Sequence, residues 1–200
     1  MEIHLIRHTR PAVSKGICYG QSDLDVVESF TEEAMQIRQY LPEGIERVYS
    51  SPLQRCSKLA RYLFPEHEVV YHDHLMEINC GEWEMREWDA IPAEEIKPWM
   101  DNFVHVTIPG GENYIDLYKR VTTQFDAVVA HGQHAAIVTH GGVIRSILAH
   151  ITGTALADSF TAFSLHYSCV VKIMAEQGGL RHEVLYNFAG EAETHKPSYY

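Results

Sequence analysis

Apolar residues follow two kinds of pattern along the chain: short continuous runs, and longer stretches in which they recur every three or four positions. The short runs predict strands at residues 2–6, 46–49, 68–71 and 135–139. The recurring pattern predicts helices at residues 29–41, 51–63, 112–131 and 143–151. Residues 167–174 and 180–186 flank a Gln-Gly-Gly turn and are typical of a closing hairpin. Strands that alternate with helices predict an α/β fold with a mainly parallel sheet.

Two of the predicted helices carry start signals. Ser29, followed by Glu32, fits a capping box, in which the two side chains satisfy free backbone N–H groups at the helix start. Ser51 followed by Pro52 fits a cap with proline in the first turn. We therefore expect helices to begin at these serines.

One stretch, residues 79–111, shows neither pattern and is rich in tryptophan and methionine. We interpret it as a lid over the main sheet. The chain has no repeat, low-complexity tract or flexible linker, so we predict a single domain over residues 1–190 and a polar C-terminal tail at 191–200.

Composition and charge narrow the class of protein. Of the 200 residues, 46% are hydrophobic and 22% are charged, which excludes a disordered or collagen-like chain. The formal net charge of -11 argues against nucleic acid or an anionic membrane as partner, because both need a basic surface. No apolar run is long enough for a membrane helix, and the acidic start differs from a signal peptide. The four cysteines form no CxxC pair, so we expect reduced thiols and a cytoplasmic location.

Polar motifs follow the predicted strands at their carboxyl ends. They contain, in chain order, Arg7 and His8, then Arg55, then Glu77, then His140 with Gly141 and Gly142. In a parallel sheet these ends meet at one edge, which is where ligands bind in α/β folds. We therefore expect two arginines, two histidines and one carboxylate to converge.

This set of side chains suits phosphoryl transfer. Arginine guanidinium groups bind phosphoryl oxygens with paired, charge-assisted hydrogen bonds, and a helix starting at Gly141 would add backbone N–H donors. A neutral imidazole has a free lone pair near neutral pH and is a competent nucleophile. A partly desolvated carboxylic acid can protonate the leaving oxygen and then act as base on water.

The motifs in this order resemble the histidine phosphatase superfamily, in its phosphoglycerate-mutase-like branch. The matching segments are Leu5-Ile6-Arg7-His8-Thr9, Ser50-Ser51-Pro52-Leu53-Gln54-Arg55, Glu77 with Gly81-Glu82-Trp83-Glu84, and Thr139-His140-Gly141-Gly142. The resemblance implies a three-layer sandwich with a mainly parallel central sheet, helices on both faces and a helical lid insertion. Within the superfamily, residues 18–23 and 139–145 most resemble alpha-ribazole phosphatases of the cobalamin pathway.

The resemblance also implies a role for each matching residue. His8 would be the nucleophile that becomes phosphorylated, and Glu77 would be the proton donor. The phosphoryl oxygens would be held by Arg7, His8, Arg55, His140 and the backbone of Gly141. Neither a metal nor a cofactor takes part in the chemistry of the family.

Two positions depart from the family pattern. Thr9 stands where glycine is usual in the family. Its side chain would either narrow the site beside the nucleophile or donate a hydrogen bond from its hydroxyl. Ser14 aligns with the usual phosphate-binding asparagine. Ser14, Tyr19 or Gln21 would then supply that phosphate contact, and the sequence leaves the choice among them open.

Other carboxylates lie close to these motifs. Glu82 and Glu84 compete with Glu77 for the role of the acid, although the position of Glu77 before the glycine-tryptophan turn favours it. Glu112, in a Gly-Gly-Glu-Asn segment, is expected to orient the site without touching the substrate.

Several functions fit this reading. The first is a metal-independent phosphomonoesterase that acts through phosphohistidine on a small-molecule phosphate, with alpha-ribazole phosphate suggested by the resemblance. The alternatives are a phosphoglycerate mutase, a broad-specificity sugar or nucleotide phosphatase, and a phospho-ligand-binding protein without catalysis. A mutase needs extra cations near the lid, where residues 79–111 carry only Arg86 and Lys97 as bases. The sequence leaves open whether the protein forms a homodimer.

Overall fold

The computed structural model describes residues 1–189 and 196–198 and contains one six-stranded sheet. The strands are β1 Glu2–Arg7, β2 Arg47–Ser50, β3 Val69–Tyr71, β4 Ala135–Thr139, β5 Val170–Glu176 and β6 Gly179–Tyr186, in the spatial order β3-β2-β4-β1-β5-β6. The first four pair in parallel, and the β5–β6 hairpin adds to β1 in antiparallel fashion. The predicted α/β class and mainly parallel sheet are confirmed.

Six α-helices are described in the resolved ranges, and they lie close to the predicted stretches. They are α1 Phe30–Arg38, α2 Gln54–Leu63, α3 Ala93–Asp101, α4 Tyr114–Ala130, α5 Gly141–Thr152 and α6 Ser159–Ala162. None of the helices in the described part of the chain combines the length and apolar character that a membrane span requires.

Ser29 is the N-cap residue of α1, as predicted, but its predicted side-chain cap does not form, and the predicted start of α2 at Ser51 is wrong. The hydroxyl of Ser29 donates to the Glu33 carboxylate at 2.7 Å and makes no cap to the backbone of α1. Helix α2 begins at Gln54, later than Ser51, and its N-cap is the extended Leu53. The reason is tertiary: the hydroxyl of Ser51 lies 2.9 Å from the buried His140 ring.

Strand alternation places one hydrophobic core on each face of the sheet. Ile3 and Leu5 of β1 join the core formed with α4 and α5, whereas Ile6 joins the core formed with α1 and α2. Successive side chains of a strand point to opposite faces, so one short apolar run serves both layers. The predicted three-layer arrangement with helices on both faces is confirmed.

Residues 79–111 form an irregular excursion that contains short 3-10 turns and α3. Trp83, fully buried, lies at the centre of a separate small core with Cys18 and Ile96. The division into one domain over 1–190 with a lid at 79–111 stays a prediction. Of the predicted tail, residues 191–195, 199 and 200 lie outside the described residues. Pro197 is buried, and the N–H of Ser198 donates to the Asp89 carboxylate at 2.7 Å.

Candidate active site

A cavity of about 690 Å³ opens at the carboxyl edge of the parallel strands. Its polar end is lined by Arg7, His8, Arg55, Glu77, Gly141 and Gly142. These residues come from the ends of β1, β2 and β4 and from the loop after β3. Parallel pairing in the order β3-β2-β4-β1 brings these ends together, as the strand-end motifs predicted.

Arg7 and His8 are positioned by the end of β1 and are almost fully buried. A guanidinium N–H of Arg7 donates to the Leu165 carbonyl at 2.7 Å, and the guanidinium lies 4.3 Å from the centroid of the Tyr167 ring. Nδ1 of His8 lies 2.7 Å from the carbonyl oxygen of Thr9. A carbonyl only accepts hydrogen bonds, so Nδ1 carries the proton and Nε2 retains the lone pair.

Arg55 is fully buried in the first turn of α2 and is held by the loop at residues 20–22. Its guanidinium donates to the carbonyl of Ser22 at 2.8 Å and to that of Gly20 at 2.5 Å. The same loop wraps the carboxylate of Glu84, which accepts from the N–H groups of Gly20, Gln21 and Ser22 and from the Ser22 hydroxyl. Glu84 therefore orders the loop that orients Arg55.

Replacing Glu84 by glutamine is expected to destabilise the protein in a pH-dependent way. Burial alone raises the pKa of Glu84, but hydrogen bonds from Ser22, Gly20, Gln21 and Cys80 outweigh burial and hold the pKa below its ordinary value. The carboxylate thus stabilises the fold above its unfolded-state pKa, and this contribution is lost as pH falls through the folded-state pKa. We expect the glutamine variant to lose about 2–3 kcal/mol at neutral pH.

Urea unfolding of wild type and Glu84→Gln, measured across the acidic to neutral range, checks this expectation. The difference should be largest near neutral pH and shrink in acid. Glu82→Gln is the matched control, because Glu82 is exposed. Equal stability of wild type and Glu84→Gln at neutral pH would contradict the assignment.

Glu77 lines the cavity beside the start of α5. Its carboxylate accepts from the N–H of Gly142 at 2.9 Å and from its neighbour Ile78 at 2.9 Å. A Cβ atom on Gly142 would lie 2.2 Å from Oε1 of Glu77, so only glycine leaves room for the carboxylate there. Glu84 is turned into its loop, which leaves Glu77 as the carboxylate at the polar end of the cavity.

The loop that carries Glu77 is anchored by Arg120 from α4. Its guanidinium donates to the carbonyls of His74, Met76 and Glu77 at 2.9, 2.7 and 2.8 Å. It also forms an ion pair with Glu112 at 2.7 Å, and Glu112 accepts from the N–H of Asn79. This arrangement supports the expectation that Glu112 orients the site from outside the cavity.

His140 is fully buried next to His8 and directly before Gly141, both of which line the cavity. Its ring lies edge-on to that of His8, with centroids 5.1 Å apart and planes at 62°. Burial, together with the positive charges of Arg55 and Arg7, holds the pKa of His140 well below its ordinary value. The ring is therefore neutral at physiological pH.

The three residues named for the extra phosphate contact separate in the structure. Tyr19 lines the cavity, with its ring 5.6 Å from the guanidinium carbon of Arg55. Ser14 is exposed and does not line the cavity. Gln21 donates to the carbonyl of Glu77 at 3.0 Å, so its side chain supports the loop that carries Glu77. The hydroxyl oxygen of Thr9 is buried without a hydrogen-bond partner within residues 1–189 and 196–198.

Sequence reasoning missed Tyr167, Arg120 and the supporting role of Glu84. Tyr167 packs against His8, with ring centroids 5.5 Å apart, and its hydroxyl hydrogen-bonds to that of Tyr19 at 2.5 Å. Tyr167 and Arg120 are far in the chain from the residues they contact. For Glu84 the available signal was Gly20, because a Cβ atom there would lie 3.0 Å from the Glu84 carboxylate.

Beyond its polar end, the cavity is wide and mainly aromatic. Tyr19, Trp88, Trp99, Phe103, Tyr114 and Phe160 line it. Lys196, Pro197 and Ser198 also contribute to the wall, beside Arg145 of α5. Within the described ranges, no three His, Cys, Asp or Glu side chains are grouped as ligands for a metal ion.

The geometry agrees with what the chain matches among known proteins. The model of the histidine phosphatase superfamily (branch 1) matches residues 3–187. The chain belongs to this family. It is a phosphoric monoester hydrolase, as the family assignment and phosphatase-named relatives indicate.

Individual relatives of this histidine phosphatase carry different names. The "Putative phosphoserine phosphatase 2" of Hydrogenobacter thermophilus is 29% identical over 164 residues, which is 78% of this chain and 81% of that protein. The "Phosphoglycerate mutase-like protein 4" of Arabidopsis thaliana is 30% identical over 158 residues, 73% of this chain and 69% of that protein. The crystal structure of the alpha-ribazole phosphatase from Shigella flexneri has a TM-score of 0.84 at 24% identity, covering 97% of this chain and 100% of that one, and confirms the fold.

Proposed function

We propose that this histidine phosphatase hydrolyses phosphate monoesters through a phosphohistidine at His8, without a metal ion. The observation that carries the proposal is the convergence of Arg7, His8, Arg55 and Glu77 on one cavity. Two guanidinium groups beside an imidazole whose Nε2 carries the lone pair form a site for a dianionic phosphoryl group and its nucleophile.

The reaction follows from these positions in two steps. In the first, the Nε2 lone pair of His8 forms a bond to phosphorus while the bond to the leaving oxygen breaks, and the Glu77 carboxylic acid protonates that oxygen. In the second, the Glu77 carboxylate takes a proton from water, whose oxygen attacks phosphorus as the N–P bond breaks. Arg7 and Arg55 neutralise charge on the phosphoryl oxygens in both steps. Hydrolysis releases inorganic phosphate and the alcohol.

Trapping the phosphoenzyme tests this proposal. Enzyme treated with a strong chelator is mixed with a labelled aryl phosphate and quenched in base. An acid-labile, base-stable label on His8, with undiminished turnover in chelator, is expected. Turnover that requires added metal, or a label on another residue, contradicts the proposal.

We further propose alpha-ribazole phosphate, the phosphate of a benzimidazole nucleoside, as substrate in cobalamin synthesis. The aromatic wall of the cavity supports a flat, largely apolar leaving group, because stacked rings bury apolar area with favourable geometry. A structure of a "putative alpha-ribazole-5'-P phosphatase" from Escherichia coli, 25% identical with a TM-score of 0.82, covers 96% of this chain and 99% of that one. All four cysteines are buried thiols, which is compatible with the expected cytoplasmic location.

The lid argues for hydrolysis over mutase activity. Of its two bases, Arg86 donates to the Ala90 carbonyl, and Lys97 pairs with Asp101 at 2.6 Å. Neither side chain lines the cavity, whereas a mutase needs lid cations for the substrate carboxylate. Besides Arg7 and Arg55, the cations Arg145 of α5 and Lys196 line the cavity, and neither belongs to the lid. A test of exchange between 2- and 3-phosphoglycerate is expected to show none.

Removing one aromatic wall residue is expected to weaken binding of aromatic substrates selectively. Phe160 lines the cavity and packs on Phe103, with ring centroids 5.2 Å apart. Phe160→Ala should raise KM for alpha-ribazole phosphate by about tenfold, the worth of one good aromatic contact, and leave KM for phosphoserine nearly unchanged.

Steady-state kinetics on both substrates check this selectivity. Phe188→Ala is the control, because Phe188 is 68% exposed and does not line the cavity. An equal change in KM for both substrates would contradict the proposal that the aromatic wall binds the leaving group. The phosphohistidine proposal would be unaffected.

A further inference from the structure

His140 shares its buried position with two side chains that the proposed reaction does not use. Ser51 directly follows β2, and Cys56 lies in the first turn of α2 beside Arg55. Ser51, Cys56 and His140 are all fully buried. The Ser51 Oγ lies 2.9 Å from Nε2 of His140, and the Cys56 Sγ lies 3.4 Å from the same nitrogen.

Counting donors and acceptors assigns the protons of this cluster. The Cys56 thiol donates to the Thr139 carbonyl at 3.5 Å. Burial raises the pKa of Cys56 to about 12, so it keeps its proton. The Ser51 Oγ accepts from the N–H of Leu53 at 3.4 Å and retains a proton to donate. An imidazole nitrogen is a far stronger acceptor than a thiol sulfur, so that proton goes to Nε2 of His140.

We propose that Ser51 is a positioning residue that holds His140 in the neutral form with its proton on Nδ1, edge-on to His8. Cys56 has no part in fixing the tautomer, because its thiol donates to the Thr139 carbonyl and Nε2 is left to the Ser51 hydroxyl. The tautomer follows from the buried contacts alone, whereas its importance for turnover rests on the proposed function.

The tautomer decides what His140 offers to the reaction. A neutral imidazole has one N–H, and with Nε2 engaged by Ser51 that N–H is on Nδ1. His140 can then donate one hydrogen bond to a phosphoryl oxygen beside His8. If the proton were on Nε2 instead, the ring would donate its only N–H to the Ser51 oxygen. It would then have no N–H to donate to a phosphoryl oxygen.

The wild-type tautomer is measured directly by long-range proton–nitrogen NMR on protein labelled with ¹⁵N-histidine, because the two ring nitrogens have distinct shifts when protonated. The His140 signal is identified by its loss in His140→Gln. We expect a protonated Nδ1 and an unprotonated Nε2. A protonated Nε2 overturns the proposal, and this measurement on wild type does not depend on the folding of a Ser51 variant.

Three variants then connect the tautomer to turnover. Ser51→Ala is expected to lower kcat by about 10- to 100-fold, with little change in KM, and to shift the His140 proton towards Nε2. Ser51→Thr, which keeps the hydroxyl, should recover most of kcat and the wild-type tautomer. Cys56→Ala should keep the tautomer and stay within about threefold of wild-type kcat. Unchanged kcat and tautomer in folded Ser51→Ala would contradict the proposal.

Trapping the phosphoenzyme separates this inference from the proposed function. Absence of label on His8 with a Ser51-dependent tautomer would refute the phosphohistidine and leave the tautomer assignment standing. Label on His8 with a tautomer indifferent to Ser51 would refute the positioning role alone.

Discussion

His8→Ala is expected to abolish the phosphoenzyme and to lower kcat by about 10³-fold or more, because the variant lacks the imidazole lone pair that attacks phosphorus. The carbonyl of Thr9 fixes Nδ1 as the donor at 2.7 Å, so the imidazole presents Nε2 without needing a base to activate it. Turnover of an aryl phosphate and base-stable labelling, both in chelator, measure the effect.

The same variant should still bind an oxyanion, because backbone carbonyls hold Arg7 at 2.7 Å and Arg55 at 2.8 Å. Vanadate binding close to the wild-type level would show that the pocket remains intact. His72→Ala is the matched control, since this histidine lies after β3 and does not line the cavity. Substantial turnover by His8→Ala would remove the basis of the proposed mechanism.

Gly142→Ala is expected to lower kcat by about 10²- to 10⁴-fold, the range that general acid–base catalysis contributes. Alanine in a helix normally stabilises it, so propensity alone predicts a harmless or favourable change. The new Cβ, however, would lie 2.2 Å from Oε1 of Glu77. The Glu77 carboxyl group can rotate away from the new Cβ at small cost in stability. It then no longer lies where it can protonate the leaving oxygen.

A double variant distinguishes displacement of the acid from general damage to α5. Adding Glu77→Ala to Gly142→Ala removes the clashing carboxylate, so the double variant should have a higher Tm than Gly142→Ala while remaining as inactive. Kinetics and thermal unfolding of both variants decide the matter. Activity of Gly142→Ala within about threefold of wild type would show that Glu77 is not the proton donor at this position.

The choice between Glu77 and Glu84 shows where sequence reasoning reached its limit. Both glutamates flank the same glycine-tryptophan turn, and composition around them is similar. In the structure, Glu84 accepts from Gly20, Gln21 and Ser22, residues about 60 positions earlier. Those contacts depend on how the β1 loop returns to the lid, which local spacing does not encode.

Ser51 illustrates the same limit at a helix start. Its sequence context predicts a helix cap, because serine before proline is a common local signal. In the structure the Ser51 hydroxyl lies 2.9 Å from Nε2 of the buried His140, and the N–H of Gln54 at the start of α2 donates instead to the Asp23 carboxylate at 2.7 Å. An unpaired ring nitrogen in the interior costs free energy, which favours the contact between Ser51 and His140.

The sequence alone was sufficient to predict the alternation of strands and helices and the parallel sheet, because strand and helix periods are local. It also predicted the convergence of Arg7, His8, Arg55 and Glu77, because the carboxyl ends of parallel strands lie at one edge of the sheet. Only the tertiary structure buried His140 against His8, excluded Ser14 from the cavity, and assembled Arg120 and Tyr167 around the site. These contacts join segments far apart in the chain, where burial and charge complementarity are set by packing and not by neighbouring residues.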